Sequence, residues 1–139
     1  MNIYSILWPI HAVLMGLSFL AMLTGMFISR YGKGKKWWLK THRGLGTGGG
    51  IGAVIALVIA TIMVSVSHGY HLSSPHSIIG LITIVLIILT PLIGSRMLKP
   101  KASGKKVLRV VHRWIGRVTL VMMAATILFG LRIAGIIYF

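Results

Sequence analysis

Four long apolar stretches, at residues 10–29, 45–66, 78–94 and 118–131, take up much of the 139-residue chain, and no Asp or Glu occurs anywhere in it. With interfacial residues added at each end, every stretch approaches the roughly 20 residues that an α-helix needs to cross hydrocarbon. A water-soluble domain carries about a quarter charged residues of mixed sign, whereas here 11% are charged, all of them basic, and 56% are hydrophobic. The chain is therefore expected to be an all-α membrane protein. It reads as a four-transmembrane-helix bundle in one domain over residues 1–139, with helices near 5–30, 37–67, 75–97 and 105–137.

The basic residues orient the bundle. Arg30, Lys33, Lys35, Lys36, Lys40 and Arg43 surround the first connection, and Arg96, Lys99, Lys101, Lys105, Lys106, Arg109, Arg113 and Arg117 the third. Both connections lie on one side, which the positive-inside rule makes cytoplasmic. The second connection, SVSHGYHLSSPHS, and the N-terminal segment hold no Lys or Arg, so both termini are expected to be non-cytoplasmic. Arg132 stands apart near the outer end of the last helix, where it can snorkel or pair with an anion. Tyr31, Trp8, Trp37, Trp38, Trp114 and Tyr138 fall near the boundaries, as interfacial anchors do.

Charges confined to the ends of apolar blocks do not form a phosphate-binding face, so nucleic acid is not an expected partner, while membrane lipid is. The absence of Cys excludes disulfides, thiolate-held clusters and thioether-linked haem. The first stretch has no preceding basic residue and no small-x-small cleavage site, and reads as a retained helix rather than a signal peptide.

Local signals set the helix ends. Ser74-Pro75 suits an N-cap and first position, Pro91 is expected to kink the third helix, and RMLKPKASGKK reads as a stop, a loop and a restart at Ser103. The glycine run in HRGLGTGGGIG follows no strand and precedes no Lys-Ser or Lys-Thr, so it is no phosphate loop. Close packing of membrane helices explains it better.

Of the six histidines, four open the four helices, one each: His11, His42, His76 and His112. His11 precedes Arg30 by 19 residues and His76 precedes Arg96 by 20, so both should lie about 28–30 Å above the inner basic boundary. His42 and His112 are each followed by Arg, in HRGLG and HRWIG, and should share the inner level. Two levels with two histidines apiece is the arrangement that bis-histidine haem ligation requires in a four-helix bundle. A metal transporter for hard cations would want carboxylates, and there are none.

His42, His76 and His112 each have Gly four residues on, at Gly46, Gly80 and Gly116, and His11 has Gly16 five on. A glycine one turn past a ligand leaves room for a porphyrin plane against the helix; the alternative is ordinary small-residue packing. Arg43, Arg113, Arg117 and Arg132 are candidate partners for haem propionates, or simply boundary charges. His68 and His71 lie in the outer loop, where solvation, donor binding and proton relay are all open. His71 also competes with His76 as a ligand, but Pro75 and Gly80 favour His76.

IHAVLMGLSFLAMLTGMFISRY, KTHRGLG, SPHSIIGLITIVLIILTPLIG and VVHRWIGR with ILFGL together resemble the four core helices of the eukaryotic-type cytochrome b561 family, including the cores fused to DOMON modules. The resemblance covers residues 8–132, and its most specific parts are the H-R-W-x-G-R and P-H-S-x-x-G runs. It implies two non-covalent b haems, ligated by His11 with His76 near the outer face and by His42 with His112 near the inner one, and electron transfer across the membrane.

In ascorbate-using members, basic residues before the inner ligands help bind the reductant, which points to Lys36, Lys40 and Lys106. Those members commonly have six helices and a tryptophan where this chain has Ile78. A minimal prokaryotic inner-membrane member working with quinol or another redox protein is therefore also expected. A haem-bearing anchor in a larger redox complex and a haem-free helical interaction or transport module are the alternatives. A homodimer is compatible with each.

Overall fold

The computed structural model describes residues 3–67, 69–99 and 104–138. Four helices account for nearly all of them: α1 (Ile3–Tyr31), α2 (Trp38–Val66), α3 (Pro75–Met97) and α4 (Lys105–Ile133). All four are long and apolar enough to span a membrane. At 1.5 Å per residue, a 29-residue helix is about 43 Å long and reaches past the hydrocarbon into both interfaces.

The caps follow the local chemistry. The Ser74 hydroxyl accepts from the Ser77 amide, the Ser77 side chain returns the bond to the Ser74 backbone, and Pro75 opens α3. This reciprocal cap satisfies the Ser74 and Ser77 amides without an acid, and Pro75 has no amide to leave unpaired. The helix continues through Pro91. Upstream of α4, Ser103 and Lys101 lie outside the described residues, as does His68 in the loop after α2. Gly104 enters α4 at φ 68°, a left-handed conformation that glycine adopts without strain.

The last helix is shorter than the expected 105–137. Gly135 takes φ 69°, its amide donates to the Arg132 carbonyl, and the Ile136 amide donates to that of Leu131. This pair of bonds is a Schellman termination. The apolar sequence runs on to Phe139, but the glycine ends the helix four residues early.

The helices form two tight hairpins, α1 with α2 and α3 with α4, joined by looser contacts between α1 and α4 and between α2 and α3. Going round the bundle in chain order, α1 thus faces α3 and α2 faces α4 across the diagonals.

Small residues bring α1 against α2. A Cβ at Gly49 would lie 2.9 Å from the Ser18 carbonyl oxygen and 2.8 Å from Met22 Cγ, and one at Gly52 would lie 2.6 Å from Ser18 Oγ. Ala53 and Ala56 are fully buried on the same helix. Without a hydrophobic drive in lipid, such close backbone approach is what binds membrane helices. The other hairpin uses threonines: Thr83 and Thr126 hydroxyls lie 3.4 Å apart and those of Thr90 and Thr119 3.3 Å apart. Each of the four also reaches a carbonyl four residues back on its own helix, so these hydroxyls are satisfied without water.

Candidate functional site

His11 and His76 meet at one end of the bundle and His42 and His112 at the other. The ring centroids lie 6.2 Å apart in the first pair and 6.1 Å in the second, with interplanar angles of 84° and 89°. Both pairs join diagonally opposite helices. The partners are thus separated by the interior of the bundle rather than packed along a helix seam.

In all four histidines Nδ1 is committed to a backbone carbonyl of the antiparallel neighbour: His11 to Ala56 at 2.9 Å, His42 to Gly25 at 2.9 Å, His76 to Thr126 at 2.8 Å and His112 to Thr90 at 3.0 Å. A carbonyl can only accept, so Nδ1 carries the proton and Nε2 keeps its lone pair. That is the tautomer a metal-binding imidazole needs, with its other nitrogen oriented by a second hydrogen bond.

The acceptors obey one rule. Each stands 14 residues beyond the histidine of its own helix: 11 to 25, 42 to 56, 76 to 90 and 112 to 126. Fourteen residues rise about 21 Å, so each hairpin holds a histidine and a carbonyl at each of two levels. The two hairpins agree in that spacing, which puts the pairs at matching depths. The buried apolar residues of every helix, Met15, Ala53, Ala56, Ile84, Ile87, Leu120 and Met123, fall within the same 14-residue windows. A buried, largely apolar layer therefore fills the space between the two pairs.

This donor set fits haem. Two imidazoles ligating one ion from opposite sides, with metal–nitrogen bonds of about 2 Å, put their ring centres about 6.3 Å apart. Among the described residues no three His, Cys, Asp or Glu gather to hold a metal ion; the histidines come in twos, the number left over when a macrocycle supplies the equatorial ligands. Cβ atoms at Gly16 and Gly46 would have nothing within 4 Å, which leaves open space one turn from His11 and His42. Cβ atoms at Gly80 and Gly116 would make only ordinary contacts, with the Thr126 and Thr90 methyls at 3.5 and 3.8 Å.

The charged candidates divide by location. Lys36, Lys40 and Arg43 join Leu39, Gly44 and Thr47 around an open basin of about 510 Å³ at the start of α2. Lys106 is exposed at the start of α4, outside that lining. Arg113 is exposed, and Arg117 lies over the Trp114 ring at 5.3 Å. Arg132 borders a hollow of about 290 Å³ with Ser74, Pro75, His76, Phe129 and Ile133. His71 sits in the exposed loop with Nε2 3.2 Å from Ser65 Oγ, while His76 faces His11.

Residue types alone did not reveal Trp38, whose ring lies 6.5 Å from that of His42, although i and i+4 on α2 predict the contact. Nor did they reveal the carbonyls or two glycines, Gly94 and Gly130, that touch histidine rings. A signal for these exists. Offsetting the chain by 36 residues aligns His76, Ile79, Gly80, Thr83, Val85, Thr90, Gly94 and Arg96 with His112, Ile115, Gly116, Thr119, Val121, Thr126, Gly130 and Arg132.

Four membrane-spanning helices with histidine pairs across the diagonals at two depths define a class, the helical-bundle membrane cytochromes. Within it, a family model described as eukaryotic cytochrome b561 matches residues 10–137, nearly the whole chain. The chain belongs to the cytochrome b561 family, which makes it a haem b protein of transmembrane electron transfer. No curated protein and no solved structure matches it.

Proposed function

We propose that the chain carries two haem b groups and passes electrons between a reductant, a quinol or an ascorbate-like molecule, on one membrane face and an acceptor on the other. The observation that carries this reading is the pair of perpendicular histidine couples at 6.2 and 6.1 Å with every Nδ1 already bonded. His11 with His76 would hold one haem and His42 with His112 the second.

Haem supplies reversible one-electron chemistry at iron. The chain does the rest. Two histidines would hold each haem, a ligand set suited to electron transfer rather than to oxygen activation. The carbonyls of Ala56, Thr126, Gly25 and Thr90 lock the tautomers and raise the basicity of the ligating nitrogens. The layer around Ile87 and Met123 keeps water from the interval between the sites.

Lys36, Lys40 and Arg43 give the basin a positive lining suited to an anionic or polar reductant, and Lys106 adds to the field at that end. Arg43, Arg113 and Arg117 at the His42 end and Arg132 at the other are suited to pair with propionates. The positive-inside rule makes the basic end cytoplasmic in a prokaryotic inner membrane, with both termini and the His68–His71 loop outside.

A dithionite-reduced spectrum of the purified chain, with haem counted per polypeptide, tests the reading. Two b haems are expected, falling to one in His42→Ala and in His76→Ala. A purified chain with no b-type absorption, or with one haem that survives both substitutions, refutes it.

A further inference from the structure

We propose that Gly94 and Gly130 are positioning residues that seat the imidazoles of His112 and His76 and thereby hold the ring planes of each pair perpendicular. The proposal rests on the haem-ligand reading of the four histidines.

The contacts are specific. A Cβ built on Gly130 would lie 2.9 Å from His76 Cε1 and 3.2 Å from its Nδ1, and one on Gly94 would lie 3.1 and 3.4 Å from the same atoms of His112. In each case the ring's Nδ1–H also donates to the carbonyl four residues earlier, Thr126 or Thr90. That carbonyl belongs to a helix, and in these two cases the imidazole that reaches it lies over the glycine one turn on. Hydrogen bond and glycine contact together fix both the tilt and the rotation of the ring.

At the contact distances of Gly94 and Gly130 an added side chain removes one constraint or the other. Carbon atoms closer than about 3.4 Å repel steeply, so with alanine the ring must either draw back and stretch its hydrogen bond or turn about its own axis. The 36-residue repeat makes the two glycines equivalent. The other glycines of that repeat, Gly80 and Gly116, would make only ordinary contacts of 3.5 and 3.8 Å, with threonine methyls rather than rings.

The equivalent positions on α1 and α2 are Ser29 and Ala60, four residues beyond Gly25 and Ala56. Each pair therefore combines one ring lying against a glycine with one whose carbonyl acceptor is followed four residues on by a residue bearing a Cβ. His76 is the seated ring of one pair and His112 of the other, so each glycine acts on a single site.

Perpendicular rings matter electronically. Two parallel imidazoles act on the same iron dπ orbital and split it from its partner; two perpendicular ones act on both nearly equally. The ferric low-spin electron paramagnetic resonance signal is then strongly anisotropic, and it reports ring orientation directly, which stability measurements do not.

The test uses full-length holoprotein. Wild type is expected to give two strongly anisotropic low-spin signals, assigned by the losses in His42→Ala and His76→Ala. Gly130→Ala should move the signal of the His11–His76 site alone and Gly94→Ala that of the His42–His112 site alone. Each should also release that haem about tenfold faster or more, as loss of a ligand-orienting contact does. Gly48→Ala, whose Cβ meets nothing within 4 Å, should change neither signal.

Gly94→Ala, with the softer 3.1 Å contact, reads the same geometry if Gly130→Ala does not accumulate. Unmoved signals and unchanged haem retention in the glycine variants overturn the inference while leaving the haem reading intact. A wild-type chain that binds no haem overturns the haem reading itself.

Discussion

Gly49→Ala should destabilise the protein where Gly48→Ala, one residue away on α2, should stabilise it. Replacing glycine by alanine within a helix gains about 0.8–1.0 kcal/mol of intrinsic propensity. At Gly48 nothing lies within 4 Å of the new methyl, so the gain stands alone. At Gly49 the methyl meets the Ser18 carbonyl oxygen at 2.9 Å and Met22 Cγ at 2.8 Å. Met22 can swing away, but the carbonyl is backbone, and α1 must retreat by about 0.5 Å to restore normal contact.

Overpacking of this kind costs about 1–3 kcal/mol, which leaves a net loss of up to about 2 kcal/mol after the propensity gain and up to about 30-fold in the folded ratio. Gly49 is seven residues from both His42 and Ala56, midway between the two bonds that tie α1 to α2. The His11–Ala56 and His42–Gly25 bonds, at 2.9 Å each, would stretch beyond the usual 3.2 Å limit together. Thermal loss of the Soret band in detergent measures the effect. Gly49→Ala should lose haem from both sites at a lower temperature than wild type, and Gly48→Ala at the same or a higher one. Equal stability of the two variants would refute the account of the α1–α2 seam.

Other expectations follow from the site. His71→Ala should retain both haems, since His71 bonds Ser65 in the exposed loop, while His76→Ala should lose one; the reverse result in a haem count would exchange their roles. Lys36→Gln with Lys40→Gln should raise KM for an anionic reductant severalfold, more at low salt than at high, with an unchanged haem spectrum. Ser74→Ala removes the side-chain acceptor of the α3 cap and should cost about 1 kcal/mol, read as a lower unfolding midpoint with haem count intact.

The histidines were legible because the chain offers so few other ligands: with no Cys, Asp or Glu, attention falls on six residues, and four of them head four apolar stretches. The spacing of His11 and His76 from the basic boundary put them at one level, and the rings do meet. A glycine one turn past a ligand carries no mark of its neighbours, and only the structure puts the Thr126 and Thr90 methyls nearest to Gly80 and Gly116. The end of α4 was misjudged because hydropathy continues past Gly135, and only the left-handed φ of that residue stops the helix.

Span number and the one-residue-per-helix distribution of histidine are properties of order along the chain, so sequence determined them: hydrocarbon demands about 20 apolar residues per crossing, and short loops make successive helices antiparallel. What the second coordination partners would be was decided only by the tertiary structure. A backbone carbonyl has the same chemistry at every residue, so nothing in the letters singles out Ala56, Gly25, Thr126 or Thr90. They become hydrogen-bond acceptors because two antiparallel helices pack closely enough, over Gly49 on one side and the paired threonines on the other, to bring the residue 14 beyond each helix's histidine level with the histidine of its neighbour.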